Sequence, residues 1–154
     1  MRFHELLKEY LISGLKAGDI TFKGDEGSDS GSLSIQVHGK FAGRLVYNYV
    51  ANCNPKQFAG YWDGGVYPKS IQVPNRFTYL WIEKIMVQAP FRGKGLGSQV
   101  LNLIMSRVKK PLVIGLYPAA YLNGEQAAVE NFYKQLGFKL WHEGSDTYAL
   151  KVIG

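Results

Sequence analysis

Helical and strand periodicities alternate along the chain, which predicts a mixed α/β fold. Two bulk properties frame it. At 154 residues the chain can build one compact core and has no room for a second, so residues 1–154 are expected to form a single domain. Apolar side chains make up 46% and charged ones 19%, too apolar and too weakly charged for intrinsic disorder.

Phe3, Leu6, Leu7, Tyr10 and Leu11 share one helical face, so a helix is predicted from about Arg2 to Ser13, ended by Gly14. Ile20 to Phe22 suits a short strand. Gly24 to Ser32 has no large apolar side chain and reads as a surface loop; Gly27 and Ser30 break the calcium-loop pattern there. Leu33, Ile35 and Val37 alternate with polar neighbours, and a turn at Gly39 and Lys40 leads into a strand from Phe41 to Val50, giving a hairpin. Ala51 to Asn75, rich in Gly, Pro and aromatics, is expected to be a long loop. Phe58, Tyr61, Trp62 and Tyr67 either line a binding site or cover one end of the core. Phe77 to Val87, apolar on both faces, is a central strand. A helix over Gly95–Val108, a strand over Pro111–Tyr117 and a helix over Glu125–Leu136 follow. Strands over Phe138–His142 and Thr147–Val152 close the chain around a turn at Gly144 and Ser145.

The formal charge of +6 is unevenly spread. Residues 51–110 hold nine basic side chains against Asp63 and Glu83, a concentration that favours a phosphate-bearing ligand. Taken singly, lysines such as Lys56 and Lys109 read as solvated surface. The longest charge-free stretch, Pro111 to Gly124, is too short to cross a bilayer. Glu5, Lys8 and Glu9 interrupt any signal-like run, and the lone Cys53 suits a reducing compartment. A cytoplasmic protein without a membrane span or a thiolate-built metal site is therefore expected.

Arg92-Gly93-Lys94-Gly95-Leu96-Gly97 stands between the central strand and an amphipathic helix. Glycines permit close backbone approach, and the helix start adds unpaired N–H groups and the positive dipole end, so the turn is suited to hold phosphate oxygens. It is not a Walker loop, because Gln88 and Gly95 occupy positions that need Gly and Ser or Thr. Nor does it fit a dinucleotide fingerprint, because Ser98 stands where Gly or Ala is required.

The longer stretch from Ile85 to Gly97 (IMVQAPFRGKGLG) resembles the acetyl-CoA signature of the GNAT family of N-acetyltransferases. That signature reads apolar, any, Val, Arg or Gln, two residues, Gly, one residue, Gly or Ala. Asn131 to Phe138 (NFYKQLGF) resembles the family's segment of Phe or Leu, Tyr, three residues, Gly, Phe. The resemblance covers roughly residues 77–142. It implies a GNAT-like fold: a central, mostly antiparallel mixed sheet of about six to seven strands flanked by helices, splayed between the strand ending at Val87 and the one beginning at Pro111. It implies acetyl-CoA as co-substrate, held by Ile85, Met86, Val87, Arg92, Gly93, Lys94, Gly95, Leu96, Gly97, Ser98 and Gln126, without a metal. Gln126 stands where many members carry Asn. Tyr133 matches the family's general acid, and the Val87 N–H its oxyanion donor.

For the base, Glu83 is the first choice, because a carboxylate amid an apolar strand is costly unless paired or facing an open cleft. A structural ion pair is the competing explanation. His4, His38 and His142 carry no supporting motif, and nothing beside Cys53 suggests that it is activated as a nucleophile. The expected activity is direct acetyl transfer to a primary amine on a small molecule or protein, and a homodimer is compatible with it. The alternative is a CoA-binding module without catalysis. Nucleic-acid binding by the basic middle third ranks last, for want of a motif.

Overall fold

The computed structural model describes residues 20–24, 30–61, 71–91, 96–118, 126–143 and 146–154. The helix expected over Arg2–Ser13, the turn at Gly144 and Ser145, and Trp62 and Tyr67 lie outside the described residues. Seven strands are described: β1 (Ile20–Gly24), β2 (Ser30–Val37), β3 (Lys40–Cys53), β4 (Phe77–Val87), β5 (Leu112–Leu116), β6 (Lys139–Glu143) and β7 (Asp146–Ile153). The helices among these residues are α1 (Pro55–Ala59), α2 (Leu96–Arg107) and α3 (Gln126–Gln135). The strands form one mixed, mostly antiparallel sheet in the order β1-β2-β3-β4-β5-β7-β6, as the sequence predicts. The chain divides into two compact units, one holding residues up to Tyr49 with Ile82–Lys109, the other Val50–Trp81 with Lys110–Gly154.

In the first unit, β1 pairs antiparallel with β2 from Ile20↔Val37 to Gly24↔Leu33. Ser30 already pairs with Asn48, so β2 claims residues that the sequence assigns to a surface loop. Backbone pairing does not require apolar side chains, which is why a Ser-Gly-Ser run can serve as a strand. The hairpin between β2 and β3 turns at His38 and Gly39, one residue earlier than expected, with φ of 50° and 76°. Positive φ at both central residues is the twist-matched two-residue hairpin.

Further along, Ile35 faces Gly43 while Gln36 faces Phe41, leaving Ala42 as an extra residue in β3. The Ala42 carbonyl is not wasted, because it accepts the N–H of Gln88 at 2.8 Å. A Cβ on neighbouring Gly43 would collide with the Met86 carbonyl oxygen, so glycine permits this approach of β3 to β4. Leu33, Ile35, Leu45 and Tyr47 are buried on the hairpin, and Leu96, Val100, Leu101, Ile104 and Met105 form the buried stripe of α2.

In the second unit, β5 pairs antiparallel with β7 from Leu112↔Ile153 to Leu116↔Ala149, and β6 pairs antiparallel with β7. All five β5 residues are buried, in keeping with its unbroken apolar run. Thr78 N–H donates to Pro111 O at 2.8 Å, and further on a Cβ at Gly115 would meet the Trp81 ring. Contacts that advance together along both strands mark β4 and β5 as parallel there, with α2 in the connection that such pairing needs.

The expected long loop after β3 contains α1. Asn54 caps it, its side chain accepting from Gln57 N–H at 2.8 Å, and Pro55 occupies the first turn, where no donor is missed. This short helix delivers Phe58, fully buried, onto Phe77 and Tyr79 with ring centroids 5.6 and 5.0 Å apart, both edge-on. Phe58 is therefore core, packed with Cys53, Ile71, Val113 and Leu150, whereas Tyr61 is 54% exposed. Phe58→Ala should cost about 3–5 kcal/mol in chemical denaturation and Tyr61→Ala less than about 1 kcal/mol; equal losses would contradict this division of labour.

Candidate active site

The predicted site residues fall into two sets, one in each unit. In the first, β4 carries Glu83, Ile85, Met86 and Val87. Glu83 is exposed and accepts a hydrogen bond from Asn48 Nδ2 on β3 at 3.0 Å, so the partner of this carboxylate is a neutral amide, not a cation. Ile85, Met86 and Val87 are half-buried. After β4, Ala89–Phe91 makes a single 3₁₀ turn, with Phe91 N–H on Gln88 O at 2.9 Å. Arg92, Gly93, Lys94 and Gly95 lie outside the described residues.

The helix that follows begins at Leu96, which is buried, with Gly97 and Ser98 half-buried. No acidic side chain sits in its first turn, and open space surrounds the position where Gly97 would bear a Cβ. Among the described residues this helix start carries the positive end of the helix dipole with no carboxylate in its first turn, a polarity suited to an anion.

In the second unit, Gln126 opens α3, and its Nε2 donates to Pro118 O at 2.9 Å, tying the helix start to the segment after β5. Tyr133 lies in the last turn of α3, half-buried, edge-on to Phe132 at 5.1 Å and to Phe138 at 5.6 Å. The helix end is a complete Schellman cap. Phe138 N–H reaches Tyr133 O at 3.0 Å and Gly137 N–H reaches Lys134 O at 2.9 Å, while Gly137 adopts φ of 92°. The ring contact between Tyr133 and Phe138 is the apolar clasp that accompanies this motif. Lys151 from β7 donates to Leu136 O at 2.6 Å, placing a cation at the negative end of the helix.

The remaining candidates separate clearly. Cys53 is fully buried, and that burial pushes its thiol above the ordinary range, against a smaller opposing contribution from the Asn54 backbone; its S–H donates to Asn54 O at 3.5 Å. A thiol held protonated is a poor nucleophile. His38 occupies the hairpin turn, exposed. His142 Nδ1 lies 2.8 Å from Thr147 Oγ1 and its Nε2 3.7 Å from Glu130, on the outside of the sheet. His4 lies outside the described residues. Among the described residues no group of three or more His, Cys, Asp or Glu could hold a metal ion, and no helix is long and apolar enough to cross a membrane.

A family model described as the acetyltransferase (GNAT) domain matches residues 46–140. The chain belongs to the GNAT acetyltransferase family. No curated protein matches it. Among solved structures, the Bacillus subtilis N-acetyltransferase YlbP in complex with coenzyme A is 16% identical, covering 80% of this chain and 68% of that one, with a TM-score of 0.52. A bacterial toxin is 15% identical over 82% of this chain and 69% of its own, with a TM-score of 0.53. The PaiA N-acetyltransferase of Thermoplasma acidophilum in complex with coenzyme A is 16% identical over 81% of this chain, with a TM-score of 0.50; this GNAT chain spans 62% of its length. These likenesses are of fold.

Sequence reading singled out Glu83 and missed Asn48, whose outward position on an alternating strand looks like ordinary surface. Two measurements probe the local geometry. Gly137→Ala should lower stability by about 1 kcal/mol, because an L side chain is strained at that φ and its Cβ would press on Lys151. Native Cys53 should react with a thiol reagent at pH 7.5 at least about tenfold more slowly than in denaturant; equal rates would mean that the thiol is neither buried nor held protonated.

Proposed function

We propose that this chain is an acetyl-CoA-dependent N-acetyltransferase that acts by direct transfer to a primary amine, with Glu83 as base and Tyr133 as general acid. The observation that carries the reading is the GNAT match across residues 46–140, which spans β4, α2, β5 and α3 and includes every residue assigned a role. Residues 92–97 with Ser98 are assigned to the diphosphate, Ile85–Val87 to the pantetheine arm by backbone pairing, and Gln126 to a supporting contact. Acetyl-CoA, when bound, supplies an activated acetyl thioester.

The chain's own residues then have two proton tasks. An amine in water is mostly an ammonium without a lone pair, so Glu83 takes a proton from it; the N–H bond breaks and an O–H bond forms on the carboxylate. The amine nitrogen then bonds to the acetyl carbon as the C–S bond breaks; the departing thiolate takes the Tyr133 phenol proton, and the second nitrogen proton restores the phenol. The Schellman cap supports this assignment, because it fixes the Tyr133 backbone and packs its ring, leaving a phenol with few alternative rotamers.

Saturating acetyl-CoA should raise the melting temperature by about 5–10 °C at a hundredfold excess over Kd. Tyr133→Phe should leave that shift intact and cut thiol release, followed with a panel of primary amines, by about 100-fold or more. No shift would remove the cofactor reading. A normal shift with no thiol release from any amine would favour a CoA-binding module.

A further inference from the structure

The hydrogen bond between Asn48 and Glu83 joins side chains 35 residues apart across β3 and β4. Both lie within the first unit, and Glu83 is exposed. A solvent-facing glutamate ordinarily spreads over several rotamers, and anchoring one carboxylate oxygen on a neighbouring strand removes most of them. The donor identity follows from chemistry. A carboxylate can only accept, so the amide must turn Nδ2 toward Glu83 and Oδ1 away from it. Among the described residues, Glu83 has no other hydrogen bond or ion pair, so Oε2 keeps its lone pairs. Lys84, next along the strand, projects to the opposite face.

We infer that Asn48 is a positioning residue for acetyl transfer: its amide fixes Oε1 of Glu83 and leaves Oε2 to take the proton from the acceptor ammonium. The inference rests on reading Glu83 as the base. A neutral amide suits this task better than a lysine or arginine. A cation would hold a carboxylate ionised and weaken it as a proton acceptor, whereas an amide anchors it with less such bias. The arrangement also survives the proton transfer. Once the amine's proton sits on Oε2, Oε1 becomes the carbonyl oxygen of a carboxylic acid and still accepts from Nδ2. Asn48 need not reorient between the two states, so the carboxyl group stays aimed while its charge changes.

The test uses the full chain and follows thiol release from acetyl-CoA with the amine panel and with water alone as acceptor. Asn48→Asp is nearly isosteric and cannot donate when ionised; Asn48→Ala removes the group altogether. Both should lower kcat by roughly 10- to 100-fold while the KM for acetyl-CoA stays within about twofold. Glu83→Gln should lose at least as much, and the double variant N48D/E83Q no more than Glu83→Gln alone, because the two residues act through one carboxylate. Wild-type turnover in both Asn48 variants beside a crippled Glu83→Gln would overturn the inference and spare the base. Multiplying losses in the double variant would also overturn it, by showing that Asn48 acts elsewhere. Full turnover in Glu83→Gln would remove the base and this inference together. Should Asn48→Ala fold poorly, Asn48→Asp carries the comparison, with its melting temperature as control.

Discussion

The close approach of β3 to β4 at Gly43 is the constraint on which the first unit's half of the candidate site depends. An extra residue at Ala42 breaks the pairing with β2 and frees a carbonyl, which Gln88 N–H claims. Gly43 then lies against the Met86 carbonyl, where a side chain has no room. This junction fixes the end of β4, from which the 3₁₀ turn and α2 depart, and it sets the register that puts Asn48 beside Glu83. A β-bulge near a site is commonly a device for re-aiming backbone and side chains. Here it sets the strand that is assigned both the carboxylate and the cofactor-pairing segment.

The segment NFYKQLGF shows how a motif can be fixed by structure before any chemistry is assigned to it. Gly137 is needed because the chain must reverse at positive φ, and Phe138 because the cap closes on an apolar contact. Tyr133 supplies the other half of that contact and the carbonyl that Phe138 N–H requires. Its ring is thus restrained for reasons of folding before any chemistry is asked of it. In the proposed role of acid, Tyr133 would gain orientation from bonds that the helix end must satisfy in any case.

Legibility in the sequence tracked the strength of local physics. β4 is readable to its ends, because its apolar, aromatic and β-branched residues outweigh the interruption at Glu83 and Lys84. The helices α2 and α3 came within a residue or so, through their apolar spacing. The hairpin turn lies one residue earlier than the sequence suggests, since a non-glycine residue at positive φ, as at His38, is uncommon. Helix α1 vanished into a presumed loop because one turn has no period to detect, although Asn54-Pro55 is a start signal that could have flagged it. Phe58 is ambiguous in sequence for the same reason; only tertiary packing tells a core aromatic from a binding one. Of the candidate site, the motifs supplied Tyr133 and the glycine turn, while Asn48 was invisible. Its role comes from register, and register across 35 residues is a property of the folded sheet.

The fold alone does not choose an acceptor, because function resides in the side chains that a scaffold presents. What the GNAT framework contributes here is a strand end and a helix start of the right polarity. The rest is assigned, in the reading proposed above, to residues such as Asn48 and Glu83, whose pairing has a specific energetic logic. Burying an unpaired carboxylate is prohibitive, and pairing it with a cation would blunt it as a base. Exposed on its strand and held by a neutral amide, Glu83 avoids both costs: water remains available to its charge, and one hydrogen bond supplies the orientation that burial would otherwise impose. If Glu83 takes the proton, as proposed, the hydrogen bond from Asn48 contributes by aiming the carboxylate at the acceptor.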